Sequence, residues 1–171
     1  IQGLGIFPLD VANLEIDFLA ADGHKWMLGP AGAGLFYIRQ QHLDLMRPLM
    51  VGWHSVANPF DFSKIDWKPR QQAARYEGGT QNMVGTLGYG ASLELLQKLG
   101  VSTTASPVAE QILAYTQFAQ SELRALGAEI HGSSATEHLS GITSFTIPNV
   151  DLAQLRSECM NIGVVLSHRD G

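Results

Sequence analysis

The sequence predicts an α/β protein, and three observations carry that expectation. Apolar residues alternate through "LEIDFLAAD" (14–22), which reads as a short buried strand. They recur at helical spacing in 81–100 and again in 107–126. From 107 onward a helix, a strand, a helix and a strand follow one another, the order of a small α/β domain.

In chain order, Leu14, Ile16, Phe18 and Ala20 make the first strand, and "GAGLFYIRQ" (32–40) holds a second from Leu35 to Ile38. "QHLDLMRP" reads as one short helix closed by Pro48. Residues 51–76 contain Trp53, Pro59, Trp67 and Pro69 with little periodicity, so they read as a long ordered loop; such loops tend to be functional. Over 81–100, Val84, Leu87, Ala91, Leu95 and Leu99 form one stripe, and Gly100 is the stop. Its three internal glycines cost helix propensity, which close packing against a neighbour would explain. The helix at 107–126 has Ser106 as cap, Pro107 in its first turn and Gly127 at its end. Its expected buried stripe is Val108, Ile112, Tyr115, Ala119, Leu123 and Leu126. "GITSFTIP" (141–148) reads as a strand, "LAQLRSECMNI" (152–162) as a helix and "GVVLSH" (163–168) as a strand. The small-residue bridge between the two long helices divides the chain into 1–100 and 101–171.

With 45% apolar and 16% charged residues in 171, the chain can bury a core. A formal charge of -5 gives no reason to expect nucleic acid or an anionic membrane as partner. The single cysteine, Cys159, excludes an internal disulfide and suits a reducing, cytoplasmic compartment. The six histidines show no paired helical spacing, so no metal site is expected. Without an initiating methionine, the chain reads as part of a longer protein.

Lys25 is the residue that asks for chemistry. It follows His24, at the end of an apolar run and ahead of "GPAGAG". A lysine at a strand end is ordinarily solvated. A neutral amine, however, attacks a carbonyl and forms a Schiff base, and burial or a neighbouring cation would favour that form. A phosphate cradle is the competing reading of "GPAGAG". A P-loop, though, sets its lysine after the last glycine with a helix behind it, whereas here the lysine comes first and a strand follows.

The stretch "DFLAADGHKWMLGPAGAGLFYIR" closely resembles the cofactor-lysine segment of class V aminotransferases, the cysteine desulfurase-like group of fold type I pyridoxal phosphate (PLP) enzymes. "IQGLGIFPLDV" and "RYEGGTQN" match as well. The resemblance implies the C-terminal part of the large PLP-binding domain over 1–100 and part of the small C-terminal α/β domain over 101–171. In the whole protein a mostly parallel sheet would carry the cofactor. Lys25 would form the Schiff base and later move the substrate Cα proton, with His24 beside it at the cofactor. Gln2 would hydrogen-bond the cofactor's phenolic oxygen. Gly79 and Thr80 would reach the cofactor phosphate of a partner subunit, which makes a homodimer with shared sites the expected assembly and an amino acid the expected substrate.

Two departures stand out. Asp22 occupies a position that is often Ser or Thr, and a carboxylate there would repel a phosphate. Cys159 falls on a helix in line with Leu152 and Leu155, as a small buried hydrophobe, and not on the mobile loop that desulfuration needs. True cysteine desulfurase activity is therefore not supported. The aspartate that would pair with the cofactor's pyridine nitrogen falls just upstream of Ile1, so the 171-residue chain alone is not expected to be a competent enzyme. Transamination, elimination, racemisation and desulfuration share their opening steps, and Lys25 does not choose among them. A truncated or non-catalytic PLP-fold protein is the alternative.

Overall fold

A computed structural model describes residues 2–133 and 135–169. The chain separates into two compact units, Ile1–Val108 and Ala109–Gly171.

In the first unit, strands β1 (Phe18–Asp22) and β2 (Gly34–Ile38) pair antiparallel, from Phe18 opposite Ile38 to Asp22 opposite Gly34. Among the described residues the strands thus form no parallel sheet; an eleven-residue turn (23–33) folds the second strand straight back on the first. Helix α1 (Met83–Lys98) closes the unit. Its core joins Ala21 of β1, Met27 of the turn and Tyr89 of α1, with Leu4, Leu19, Ala33 and Leu35 packed around them. Burying a side chain of Met27's size contributes about 1.5–3 kcal/mol.

The face that α1 buries is not the expected one. Gly85, Tyr89 and Leu96 are inside, while Val84 and Leu87 are 83% and 71% exposed. Close approach decides the matter, since a Cβ on Gly88 would stand 3.3 Å from Cγ of Pro30. The helix turns its small residues to the turn and leaves its more apolar stripe outside.

Between β2 and α1, "QHLDLMRP" is not a continuous helix. A single 3₁₀ turn at Gln40–His42 precedes irregular backbone, and further 3₁₀ turns stand at Trp53–Ser55 and Ala73–Tyr76. Side chains fasten this long loop. His42 Nε2 lies 2.8 Å from Asp17 Oδ1, and the His42 ring stacks on Phe18. Buried Arg75 donates to the carbonyls of Leu43 (2.6 Å) and Arg70 (2.7 Å). Ser55, fully buried, donates to the carbonyl of Glu77 at 2.9 Å.

The second unit contains most of α2 (Pro107–Ala125), a pair of three-residue antiparallel strands, β3 (Glu129–His131) and β4 (Ser144–Thr146), and α3 (Leu152–Asn161). The buried positions of α2 are Ala109, Thr116 and Gln120. Tyr115 and Leu126, expected inside, are exposed. Gln120 tolerates burial because its amide donates to the Thr143 hydroxyl at 3.4 Å. No strand forms over 163–168: the amide of Val164 closes the end of α3 by donating to the Cys159 carbonyl at 2.8 Å. Val and Leu there favour a strand, but no partner supplies a ladder among the described residues. No helix among the described residues is long and apolar enough to cross a membrane.

Candidate active site

The Lys25 turn is built by two close backbone approaches. The amide of Gly23 donates to the Ala33 carbonyl at 2.8 Å, and the amide of Gly29 to the Gly23 carbonyl at 2.8 Å. A Cβ on Gly23 would stand 2.7 Å from the Ala33 oxygen, and one on Gly29 would stand 2.7 Å from Cδ2 of Tyr89. Any other residue at either position pushes the turn open. Met27 then enters the core, where its sulfur accepts a hydrogen bond from the Tyr89 hydroxyl at 2.8 Å. That fixes the turn from below and leaves His24 exposed and Lys25 half-buried at the rim. Lys25 Nζ lies 3.8 Å from Asp22 Oδ2. The charged neighbour of the amine is thus a carboxylate and not a cation, and Lys25 is only half-buried, so neither of the two conditions expected to favour the neutral amine is met in full.

Gln2 is exposed, yet its segment lies against the same turn: a Cβ on Gly5 would stand 2.8 Å from the Met27 nitrogen. Gly79 and Thr80 occupy the loop that enters α1. Among the described residues, no hydrogen bond uses the backbone N–H of either. The helix begins at Met83, two residues later than anticipated, because Asn82 is its cap: Asn82 Oδ1 accepts from the Gly85 amide at 2.9 Å. Asn82 Nδ2 donates to the Gly32 carbonyl at 3.3 Å, tying the Gly79–Thr80 loop to the turn that carries Lys25. Asparagine ahead of a helical run is a capping signal legible in the sequence. Its second bond, across fifty residues, had no sequence signal.

Beside this loop lies an apolar groove of about 400 Å³, lined by Trp53, Phe62, Ile65 and Trp67 among others. Trp53 borders Gly79, with Nε1 3.5 Å from where a Cβ on that glycine would be. His54 meets Trp53 edge to face at 5.1 Å, and its Nδ1 is buried without a hydrogen-bond partner. In the second unit, Cys159 is half-buried on α3 in line with Leu152 and Leu155, and Arg169 is exposed. No metal-binding group of three or more acidic, histidine or cysteine side chains occurs among the described residues.

The structure thus gathers an amine beside a carboxylate, free backbone donors ahead of a helix N-terminus and an aromatic groove. The chain is 30% identical over 173 residues to a protein of Methanothermobacter thermautotrophicus named "Probable cysteine desulfurase", a match covering 98% of this chain and 40% of that protein. It is 36% identical over 109 residues to a cysteine desulfurase of Escherichia coli, covering 61% of this chain and 25% of that one. Its fold matches the apo cysteine desulfurase of Thermococcus onnurineus with a TM-score of 0.82 at 23% identity, over 96% of this chain and 39% of that one. A lysine-to-alanine variant of C-DES, with glycine covalently linked to its PLP cofactor, matches with a TM-score of 0.80 at 26% identity, over 97% and 42%. The chain therefore spans between a quarter and 42% of these relatives' length. The Aminotransferase class-V family model matches residues 1–169, and the chain belongs to that family.

Proposed function

We propose that this chain carries the cofactor lysine of a PLP-dependent enzyme acting on an amino acid, with Lys25 as the amine that binds the cofactor. The observation that carries the reading is the Lys25 turn, where two glycine approaches and the buried Met27 hold a lysine at the rim within the family's own segment. The residues present fit the group. The unused N–H groups of Gly79 and Thr80, ahead of a sixteen-residue helix, suit a phosphate. PLP, when bound, supplies the electron sink that stabilises negative charge at the substrate Cα.

This chain's residues would do the rest. Lys25 Nζ binds the cofactor and takes or returns the Cα proton. Asp22, 3.8 Å away, pairs with Nζ while the site waits. His24 stands exposed next to Lys25, where cofactor or substrate can meet it. Gln2 donates from the segment packed on the turn. Asn82 keeps the Gly79–Thr80 loop in register with that turn. We further propose that residues 1–100 and 101–171 are parts of the large and small domains, and that a cytoplasmic homodimer shares its sites. The exposed Val84 and Leu87 of α1 give such association an apolar surface.

Titration with PLP tests the reading. The protein should develop an absorbance band that Lys25→Ala abolishes, while circular dichroism of the variant stays unchanged. A band of equal strength in Lys25→Ala would refute the assignment.

A further inference from the structure

None of the residues assigned to the cofactor lines the groove beside Gly79, yet its construction is that of a site. Residues 58–67 form a compact loop whose neck is closed twice, by the amide of Ala57 donating to the Lys68 carbonyl at 2.8 Å and by a bridge between Val56 and Pro69. Below the neck, Arg70 Nε donates to the Val56 carbonyl at 3.2 Å, and the Arg70 amide donates to the carbonyl of buried Ser55 at 3.1 Å. The walls are therefore held by backbone. Trp53 stands at tilted angles to Phe60 and Phe62, with centroids 5.9 and 6.3 Å away, so its ring is not covered by parallel stacking. Charged residues in the lining balance, with Asp61 and Asp66 against Lys64 and Lys68. Lys64 and Asp66 also pair with one another at 3.9 Å. A groove with no net charge, aromatic walls and about 400 Å³ of space selects an uncharged ring. A –CH₂SH group would leave most of it empty.

We propose that this groove receives an aromatic side chain of the substrate and so sets specificity at the site to which Gly79 and Thr80 contribute. The inference rests on the reading of that loop as part of an amino-acid-handling site. Two probes separate the one from the other. The neutral amide 3-phenylpropionamide, followed by ligand-observed NMR without added PLP, should bind with a Kd of about 1 mM or tighter, and propionamide should not. Trp53→Ala and Phe62→Ala should each weaken it about tenfold; Phe62 is 78% exposed, so its loss leaves folding intact. Lys25→Ala should leave it unchanged. Equal binding of propionamide, or unchanged binding in both groove variants, would overturn the proposal. So would binding that vanishes as protein concentration rises, which would give the groove to a second copy of the chain.

With PLP bound, L-phenylalanine should shift the absorbance band at about one tenth of the L-alanine concentration, a preference that Phe62→Ala removes. No such preference would overturn the specificity role. Failure of PLP to attach at Lys25, with 3-phenylpropionamide still bound, would sink the enzymatic reading and this proposal's substrate with it, and would leave only an aromatic-binding groove.

Discussion

Gly23→Ala puts the Lys25 turn under direct load. The new Cβ would stand 2.7 Å from the Ala33 oxygen and 3.2 Å from Cδ2 of Tyr89. Neither neighbour yields easily: one is backbone at the end of the β1–β2 ladder, and the other belongs to a ring that is 7% exposed. The backbone has to separate, and with it goes the 2.8 Å bond from the Gly23 amide to Ala33. A lost buried hydrogen bond costs about 1 kcal/mol and overpacking about 1–3 kcal/mol, so the variant should lose about 2–4 kcal/mol. At an m-value of about 2 kcal/mol/M, the urea midpoint should fall by about 1–2 M. Because the displaced strand end carries Asp22 and leads to Lys25, PLP affinity should fall as well, measured by absorbance titration below the unfolding transition. A variant with wild-type midpoint and wild-type titration would refute the claim that these approaches hold the lysine.

Three further outcomes follow from the packing. Arg75→Ala should cost about 3 kcal/mol in urea unfolding, because the carbonyls of Leu43 and Arg70 lose their buried donor. Asn82→Ala removes a helix cap worth about 1 kcal/mol and the tie to Gly32, so it should lower thermal stability slightly while weakening PLP binding more. Burial pushes the Tyr89 phenol above its ordinary 10.0, so the stability due to the protonated ring is whole below pH 10 and drains away as pH rises beyond it. Tyr89→Phe should flatten that alkaline limb in a series of unfolding curves; an unchanged slope would contradict the burial of the hydroxyl.

Local signals in the sequence carried the elements that depend on local physics. The start of α2 at Pro107 needs no distant partner to be read. The alternation through Leu14, Ile16, Phe18 and Ala20 marked a strand but on the wrong face: β1 begins only at Phe18, and Leu19 and Ala21, not Phe18 and Ala20, turn to the core. Burial faces were less legible. The apolar stripe of α1 suggested Val84 and Leu87, but the turn around Pro30 accepts only the small face with Gly85 and Gly88. On α2, Gln120 lies inside because Thr143, more than twenty residues away, satisfies it. Strand β3 is three residues long and exists through its pairing with β4, too short for any period to show. The tail at 163–168 errs the other way, with strand-forming residues and no ladder. At the proposed site, Lys25, His24, Gly79 and Thr80 could be singled out from sequence because they sit in contiguous motifs. Asp22's pairing with Lys25 and Asn82's bond to Gly32 arise from the fold and were not.

The most direct measurement is borohydride reduction of the protein after incubation with PLP, followed by peptide mapping by mass spectrometry. The account predicts one pyridoxyl group, on the peptide containing Lys25. Labelling spread over Lys64, Lys68 and Lys98 with no preference for Lys25, or no labelling at all, would contradict it.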